Sequence, residues 1–295
     1  MAFCYLVLLV QAPGALAQQY SSSIEGQYRV AANVTYLTDG DWEGKLDVYG
    51  RTDVDEPLPT LVWVHGGSLT RGRKETQVFR LLPWLEQGWN VVNVAPRNLG
   101  VTGAPEAARN IRCALRWVHQ NGEQRGFDTE RIVISGSSSG ALFSIMATMA
   151  QWDHGWDDLC PGSEEPEVAA VVSWYGGWDL ADVLEGPNER SWAIDLVRGH
   201  DDPMAVAKRL SALPIDGRDV PPVISIHGDA DPTAPYNQTV RLHEALEAAG
   251  IAEELVTIPN GEHGGFTRDE NRMIYEAIRA FLARQGIGPT LTVSD

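Results

Sequence analysis

One serine of this chain stands in a pattern that favours nucleophilic chemistry. The run Gly136-Ser137-Ser138-Ser139-Gly140 has the form G-x-S-x-G. That form holds a serine on a sharp turn between a strand and a helix, where small flanking residues let neighbouring backbone approach closely. Only Ser138 has a glycine two residues away on both sides, so we predict that Ser138, rather than Ser137 or Ser139, is the nucleophile.

A serine hydroxyl needs a base to become nucleophilic, and imidazole is the usual one. His263 follows a predicted strand in Asn260-Gly261-Glu262-His263-Gly264-Gly265, where glycines give the loop room to reach across a sheet edge. We predict His263 as the base. The other histidines considered are His119 and His243 in predicted helices, His227 at the end of a buried strand with an expected structural role, and His154 and His200, which stay open as substrate-site residues.

An acid between the serine and the histidine would orient the imidazole and stabilise its charged form. Asp231 lies in His227-Gly228-Asp229-Ala230-Asp231-Pro232, and the chain order Ser, Asp, His is that of α/β-hydrolases. We favour Asp231 over the nearby Asp229, with Asp179 as a distant third. The predicted catalytic set is therefore Ser138, Asp231 and His263.

A second glycine-rich turn could stabilise the negative charge that develops during acyl transfer. The residues His65-Gly66-Gly67-Ser68 close a predicted strand, and small residues there let backbone N–H groups reach an oxyanion. Ser139 would add its own N–H, because it directly follows the nucleophile. We predict an oxyanion hole from Gly67, Ser68 and Ser139.

These residues need a scaffold that brings several strand ends together. Predicted strands cover 28–37, 45–50, 60–67, 89–97, 131–136, 168–177, 221–228 and 254–260, and predicted helices cover 104–121, 141–150, 238–250 and 268–286. From residue 60 the strands are near-continuous apolar runs that alternate with helices, which indicates parallel strands buried on both faces. The sequence predicts an α/β-hydrolase fold: a mostly parallel central sheet, helices on both faces and an antiparallel lead-in from the first two strands.

The chain has 295 residues and is 43% hydrophobic, which suits one large core. We expect one catalytic domain over 18–295, with insertions at 151–166 and 178–219. Only about ten residues separate an expected signal peptide over 1–17 from the first strand, so no N-terminal helical cap is expected. Three aromatic residues near the second insertion, Trp174, Tyr175 and Trp178, could stack on a sugar or cinnamoyl ring, and packing in a lid or core is the open alternative.

The first 17 residues have the character of a secretory signal peptide. An uncharged apolar run over 2–10 precedes the small-residue site Ala15-Leu16-Ala17, although no Lys or Arg stands before the run. A membrane anchor is less favoured, because the run is shorter than the roughly 20 apolar residues of a spanning helix. We expect a secreted protein, mature from near Gln18, without stable membrane insertion.

Removal of that segment would leave two cysteines, Cys113 and Cys160. In an oxidising compartment they can form a disulfide, and two free thiols are the alternative. No metal-ligand spacing, phosphate-binding loop or dinucleotide motif is present, so we expect no metal and no cofactor. The net charge of −17 disfavours a nucleic-acid partner, because an acidic surface repels phosphate.

Several runs of this sequence resemble a known family. The runs that carry the resemblance are VWVHGG, ALRWVHQN, RIVISGSSSG, HGDADPTAPY and IPNGEHGGF. They are similar to secreted bacterial esterases of the bifunctional acetyl xylan and feruloyl esterase type, relatives of the hormone-sensitive lipase group. The likeness spans about residues 30 to 285.

The resemblance implies a serine carboxylesterase that removes acetate from xylan and, in some members, ferulate. Its partners would be acetylated or feruloylated xylan, the derived oligosaccharides and small esters. Two departures bear on substrate preference: Ser137 and Ser139 replace a familiar Asn and Ala beside the nucleophile, and Ala95-Pro96-Arg97 stands where a Tyr-Arg pair is familiar. A general short-chain carboxylesterase, a serine peptidase and a non-catalytic binding protein on a hydrolase scaffold are the alternatives.

Overall fold

The structure, a computed structural model, describes residues 26–67, 72–97, 103–149, 158–163, 165–177, 179–215 and 219–289. The predicted signal peptide lies outside these residues. The strands are β1 (Tyr28–Asp39), β2 (Trp42–Arg51), β3 (Leu58–Val64), β4 (Asn90–Ala95), β5 (Phe127–Ser137), β6 (Ala170–Trp174), β7 (Val223–Gly228) and β8 (Glu253–Ile258).

These strands form one eight-stranded sheet in the order β1-β2-β4-β3-β5-β6-β7-β8. β1 pairs antiparallel with β2, and β2 pairs antiparallel with β4. The pairs from β4 through β3 and β5 to β8 are parallel. The predicted antiparallel lead-in and parallel sheet are confirmed, and the carboxyl ends of β3, β5, β6, β7 and β8 meet at one edge.

Helices cover both faces of the sheet. They are α1 (Leu82–Glu86), α2 (Ala104–Gln120), α3 (Gly122–Arg125), α4 (Ser139–Met149), α5 (Leu180–Glu185), α6 (Ala193–Leu196), α7 (Pro203–Leu210), α8 (Tyr236–Ala248) and α9 (Arg268–Arg284), with a 3-10 helix at Lys74–Arg80. One hydrophobic cluster joins the sheet to α2, α4, α8 and the short helices α5 to α7. A second joins the other face to α1 and α9.

The apolar run of β3 shows why such a strand must lie in the middle of the sheet. Successive strand residues point to opposite faces. Leu61 and Trp63 enter the cluster that contains α9, whereas Val62 and Val64 enter the cluster that contains α2. All four side chains are fully buried. Burying each of the three aliphatic side chains contributes roughly 1.5–3 kcal/mol, so contacts on both faces stabilise this strand in the middle of the sheet.

The differences from the predicted elements are local. β3 ends at Val64 and β6 at Trp174, so the residues after each strand belong to loops at the sheet edge. The 3-10 helix and α1, between β3 and β4, were not predicted, because they are too short to show a helical period.

The second predicted insertion, 178–219, carries the three short helices α5, α6 and α7. The first, 151–166, is described only at 158–163 and from 165 onward. There Cys160 forms a disulfide with Cys113 of α2. None of the helices within the described ranges is long and apolar enough to cross a membrane.

Candidate active site

The predicted nucleophile occupies a strained turn. β5 ends at Ser137 and α4 begins at Ser139, which leaves Ser138 between them with φ of 54°. A non-glycine residue with positive φ is uncommon and costs free energy, so the surroundings must hold it. The N–H of Ser138 donates to the carbonyl of Trp174 on β6 at 2.9 Å, and the Ser138 carbonyl accepts from Leu142 at 3.0 Å.

Glycine in this turn is required by a close backbone approach. A Cβ atom on Gly140 would lie 2.2 Å from the carbonyl oxygen of Val64, at the end of β3. Any larger residue would push the start of α4 away from β3. The G-x-S-x-G pattern therefore reflects how tightly the serine turn packs on the neighbouring strand.

The structure brings His263 to Ser138. Its Nε2 lies 2.7 Å from Ser138 Oγ, and its Nδ1 lies 2.7 Å from Asp231 Oδ2. Since an ionised carboxylate only accepts hydrogen bonds, Nδ1 carries the proton and Nε2 is free to accept one from the serine. The His263 side chain is 22% exposed, so the imidazole is reachable from solvent.

Asp231 is held as a buried carboxylate with four hydrogen-bond donors. Oδ1 accepts from the N–H groups of Thr233 at 2.7 Å and Ala234 at 3.0 Å. Oδ2 accepts from His263, and His227 Nε2 lies 3.1 Å from the same oxygen. Burial alone would raise the pKa of Asp231, but the donors of His227, His263 and Ala234 outweigh it and hold the pKa well below its usual range. The carboxylate is therefore ionised at neutral pH.

The two rival acids have other partners. Asp229 is exposed and accepts the N–H of Asn260 at 2.6 Å, which ties the loop after β7 to the loop that carries His263. Asp179 caps α5 through the N–H of Asp182 at 3.1 Å and forms an ion pair with Arg241 at 3.4 Å. Of the three candidates, Asp231 is the one in hydrogen-bond contact with His263.

The predicted oxyanion hole is described in part. A Cβ atom on Gly66 would lie 2.4 Å from the Ser137 carbonyl oxygen, so the loop after β3 packs directly on the serine turn. Gly67 has φ of 129°, a conformation that favours glycine. Ser139 is the first residue of α4, where the N–H groups have no acceptor within the helix. Ser68 lies outside the described residues.

His65 fixes this loop locally. Its Nδ1 lies 3.1 Å from the carbonyl oxygen of Gly66, so that nitrogen is the donor. Burial lowers the pKa of His65, which favours the neutral ring. From the sequence, this histidine had no expected role beyond its place in the glycine-rich motif.

Two of the aromatic residues predicted to bind substrate are buried instead. Trp174 is 2% exposed and packs against Tyr275 of α9, with ring centroids 5.4 Å apart. Tyr175 is 4% exposed, and its ring meets the imidazole of His263 at 4.9 Å between centroids. Neither ring has a free face for a sugar, so packing describes both better than stacking on a ligand. Trp178 lies outside the described residues.

Two contacts of the site were missed by the sequence analysis. Tyr175 packs on the predicted base, and its φ of 42° marks a tight turn directly after β6. His227 contacts the predicted acid, although the sequence suggested only a structural role for a histidine at a strand end. The signal that could have found it is the four-residue spacing from His227 to Asp231 at the active edge of the sheet.

The strand order, the turn at Ser138 and the helices on both faces define an α/β-hydrolase. The chain belongs to the BD-FAE family, whose model matches residues 46–246.

This chain is similar in sequence to known esterases and similar in fold to solved esterase structures. The chain is 28% identical over 256 residues to esterase LipQ of Mycobacterium tuberculosis. The matched segment covers 82% of this chain but only 60% of LipQ. The thermophilic esterase Est2 of the planctomycete Thermogutta terrifontis superposes with a TM-score of 0.74 at 23% identity, covering 90% of this chain and 95% of Est2. A truncated carbohydrate esterase from gut microbiota gives a TM-score of 0.73 at 24% identity, covering 88% and 98%.

Proposed function

We propose that this protein is a serine carboxylesterase that works through Ser138, His263 and Asp231. The observation that carries the proposal is the continuous contact from Ser138 Oγ to His263 Nε2 and from His263 Nδ1 to Asp231 Oδ2, each 2.7 Å. Names of similar proteins add support, since LipQ is an esterase. The chain spans about 60% of LipQ, so its activity is argued from its own residues.

The geometry supports an acyl-enzyme mechanism. As Ser138 Oγ attacks the ester carbonyl, its proton passes to His263 Nε2, and Asp231 stabilises the resulting imidazolium. The carbonyl oxygen becomes an oxyanion that the N–H groups of the loop after β3 and of Ser139 would stabilise. His263 then returns the proton to the departing alcohol. Water, activated by the same imidazole, releases the acid and restores the serine.

The proposed substrates are short acyl esters on plant cell-wall polysaccharide: acetylated xylan first, and feruloylated xylan second. The motif resemblance supports xylan, and the name of the gut carbohydrate esterase, a neighbour in fold, agrees with a sugar ester. Ferulate release is the less supported activity, because Trp174 and Tyr175 are buried and a cinnamoyl ring would need other residues to stack on.

A general short-chain carboxylesterase is the second candidate. It is favoured by the relatives in Mycobacterium tuberculosis, esterases LipQ and LipC, each 28% identical to this chain. A binding protein without catalysis is disfavoured, because the three side chains are present in hydrogen-bonded contact.

A substrate panel separates these candidates. The purified protein is assayed on p-nitrophenyl esters from acetate to octanoate, on methyl ferulate, on acetylated xylan and on a triglyceride, with Ser138→Ala as the blank. We expect acetate to be cleaved faster than octanoate and xylan to release acetate. Faster octanoate turnover without acetate from xylan would favour the general esterase, and no ester turnover at all would reject the proposal.

We also propose that the protein acts outside the cell. The expected signal peptide over 1–17 supports this, and a disulfide between Cys113 and Cys160 suits an oxidising compartment. Expression of the full chain in a secreting host should yield a processed protein that starts near Gln18. Recovery of unprocessed chain in the cytoplasm alone would contradict it.

A further inference from the structure

Asp231 serves two imidazoles, and only one of them touches the nucleophile. The second, His227, is the penultimate residue of β7 and is fully buried. Its Nε2 lies 3.1 Å from Asp231 Oδ2, the same oxygen that His263 contacts at 2.7 Å. The mechanism described above makes no use of this residue.

The surroundings of His227 settle its tautomer. Nε2 faces two acceptors, Asp231 Oδ2 and, at 3.3 Å, the carbonyl oxygen of Ala234, so Nε2 must carry a proton. On the other side, Nδ1 lies 2.7 Å from the hydroxyl of Thr239 on α8, which can donate to it. A neutral ring therefore satisfies every contact with one proton.

The His227 ring also connects three segments of the chain whose relative positions fix the carboxylate. His227 belongs to β7, Asp231 and Ala234 belong to the loop after it, and Thr239 belongs to α8. The backbone N–H groups of Thr233 and Ala234 hold only Oδ1 of the carboxylate. Without His227, Oδ2 would depend on His263 alone, which is part exposed and must change its charge in each cycle.

We propose that His227 is a positioning residue that acts through Asp231, fixing the carboxylate oxygen that orients His263. The proposal rests on the esterase function argued above. Because His227 is fully buried, it is not placed to touch a substrate. Its contribution is to keep Asp231 Oδ2 in line with His263 Nδ1 while the imidazolium forms and discharges.

A consequence for pH dependence follows from the shared oxygen. The N–H of His227 draws negative charge from Oδ2, so its removal should leave more charge facing the His263 imidazolium. Tyr236 lies against His227 and Tyr175 lies against His263, with ring centroids 5.6 and 4.9 Å apart. Asp231 Oδ2 contacts both imidazoles, so the charge of this carboxylate is the one that the change acts on. The acidic limb of kcat/KM should move to higher pH.

The test compares His227→Phe with His227→Gln. Phenylalanine keeps a planar ring but has no donor, whereas the amide nitrogen of glutamine can replace Nε2–H. We expect His227→Phe to lower kcat on the order of 10–100-fold, the effect of a small misplacement of a catalytic group, with little change in KM. His227→Gln should recover most of kcat. The concentration of active sites is measured from the burst of p-nitrophenol. kcat is calculated from that concentration, so unfolded protein does not lower it.

A double-mutant cycle with Asp231→Asn shows whether the effect passes through Asp231. In that background His227→Phe should cost almost nothing, because the carboxylate it positions is gone. A merely structural defect would cost the same in both backgrounds. Equal loss in both, unchanged kcat in His227→Phe, or failure of His227→Gln to rescue a folded protein would overturn the proposal. Failure of the proposed function would appear separately, as no ester turnover in the wild type or as full activity in Ser138→Ala.

Discussion

At the scale of single residues, the site depends on a backbone conformation that serine does not prefer. Ser138 has φ of 54°, and hydrogen bonds to Trp174 and from Leu142 hold it there. Strain of this kind persists only where the surrounding structure imposes it. Here it projects the hydroxyl towards His263 instead of into the sheet.

Replacing the nucleophile tests this assignment. Ser138→Ala should lower ester hydrolysis on the order of 10⁴-fold or more, because the members of such a set act as a unit. His263→Ala should match it. Ser137→Ala is the matched control: Ser137 is the neighbouring buried serine, with its hydroxyl 3.4 Å from Gln77, and its loss should change kcat only a few-fold. The opposite ranking in steady-state kinetics would reassign the nucleophile.

The two neighbouring acids give a second test. Asp231→Asn should lose most of kcat, because an amide cannot stabilise the imidazolium and can select the wrong tautomer. Asp229→Asn should keep most of it, since Asp229 accepts from the Asn260 backbone. A larger loss in Asp229→Asn would transfer the acid role to that residue.

The same carboxylate links folding to pH. Because the pKa of Asp231 is lower in the folded state than its ordinary value, ionised Asp231 stabilises the fold above that ordinary value. The contribution is lost as pH falls towards the folded pKa. The free energy of unfolding of the wild type, measured by denaturant against Asp231→Asn, should lose its Asp231-dependent part between about pH 5 and pH 2. A constant difference over that range would contradict a lowered pKa.

At the scale of elements, a buried ion pair fastens the 3-10 helix to β2. Lys74 Nζ lies 2.8 Å from both carboxylate oxygens of Asp47, and the two side chains are 4% and 8% exposed. Burial alone would lower the pKa of Lys74, but Asp47 and Glu75 outweigh it, so the pKa is raised and the amine stays charged. Asp47 also accepts the N–H of Asn33 at a break in the β1–β2 register. The pair thereby anchors the segment that follows the predicted oxyanion loop.

Breaking this pair from one side should be costly. Lys74→Met leaves the buried Asp47 carboxylate without its counter-ion, so we expect a loss of about 3–5 kcal/mol in the free energy of unfolding. Adding Asp47→Asn should restore much of it, because the amide oxygen can still accept from Asn33. Lys45→Met is the control, on the strand that carries Asp47: the pair of Lys45 with the exposed Glu43 is screened by solvent, so its loss should change the free energy of unfolding much less. Equal losses in both lysine variants would show that the buried pair has no special weight.

At the scale of the whole molecule, the disulfide ties the partly described first insertion to a helix of the core. Cys113 lies on α2, and Cys160 is 47 residues further along the chain. An ion pair at 2.6 Å between Arg112 and Glu165 joins the same two segments. The bond does not connect to the loops that carry Asp231 and His263. It should therefore act on stability more than on catalysis.

Removing the disulfide measures that contribution. For a loop of this length the chain-entropy estimate is about 4 kcal/mol. The double variant Cys113→Ala/Cys160→Ala should lose stability by up to that amount in denaturant titrations and keep its kcat at room temperature. Peptide mapping of protein made in an oxidising host, without reductant, should recover the Cys113–Cys160 pair. Two free thiols in that map, or a large loss of kcat in the folded variant, would contradict this account.

The fold class and the residues that meet at the site could be predicted from the amino-acid sequence alone. Apolar runs such as 60–64 can be satisfied only by burial on both faces, and the alternation of such runs with helices specifies a parallel sheet. The end of each parallel strand then falls at one edge. Residues as far apart as Ser138 and His263 could thus be assigned to one site from local patterns.

The direction in which a side chain points could not be predicted in this way, because it depends on how the whole chain packs. Asp229 and Asp231 lie in the same loop, and the path of the chain after β7 turns one towards Asn260 and the other towards His263. Trp174 ends a strand, and its burial depends on α9, a helix packed from a hundred residues away in the chain. The same turn brings the Asp231 carboxylate into contact with His227. A local pattern fixes which residues reach an edge, whereas the packing of distant elements fixes where each side chain points.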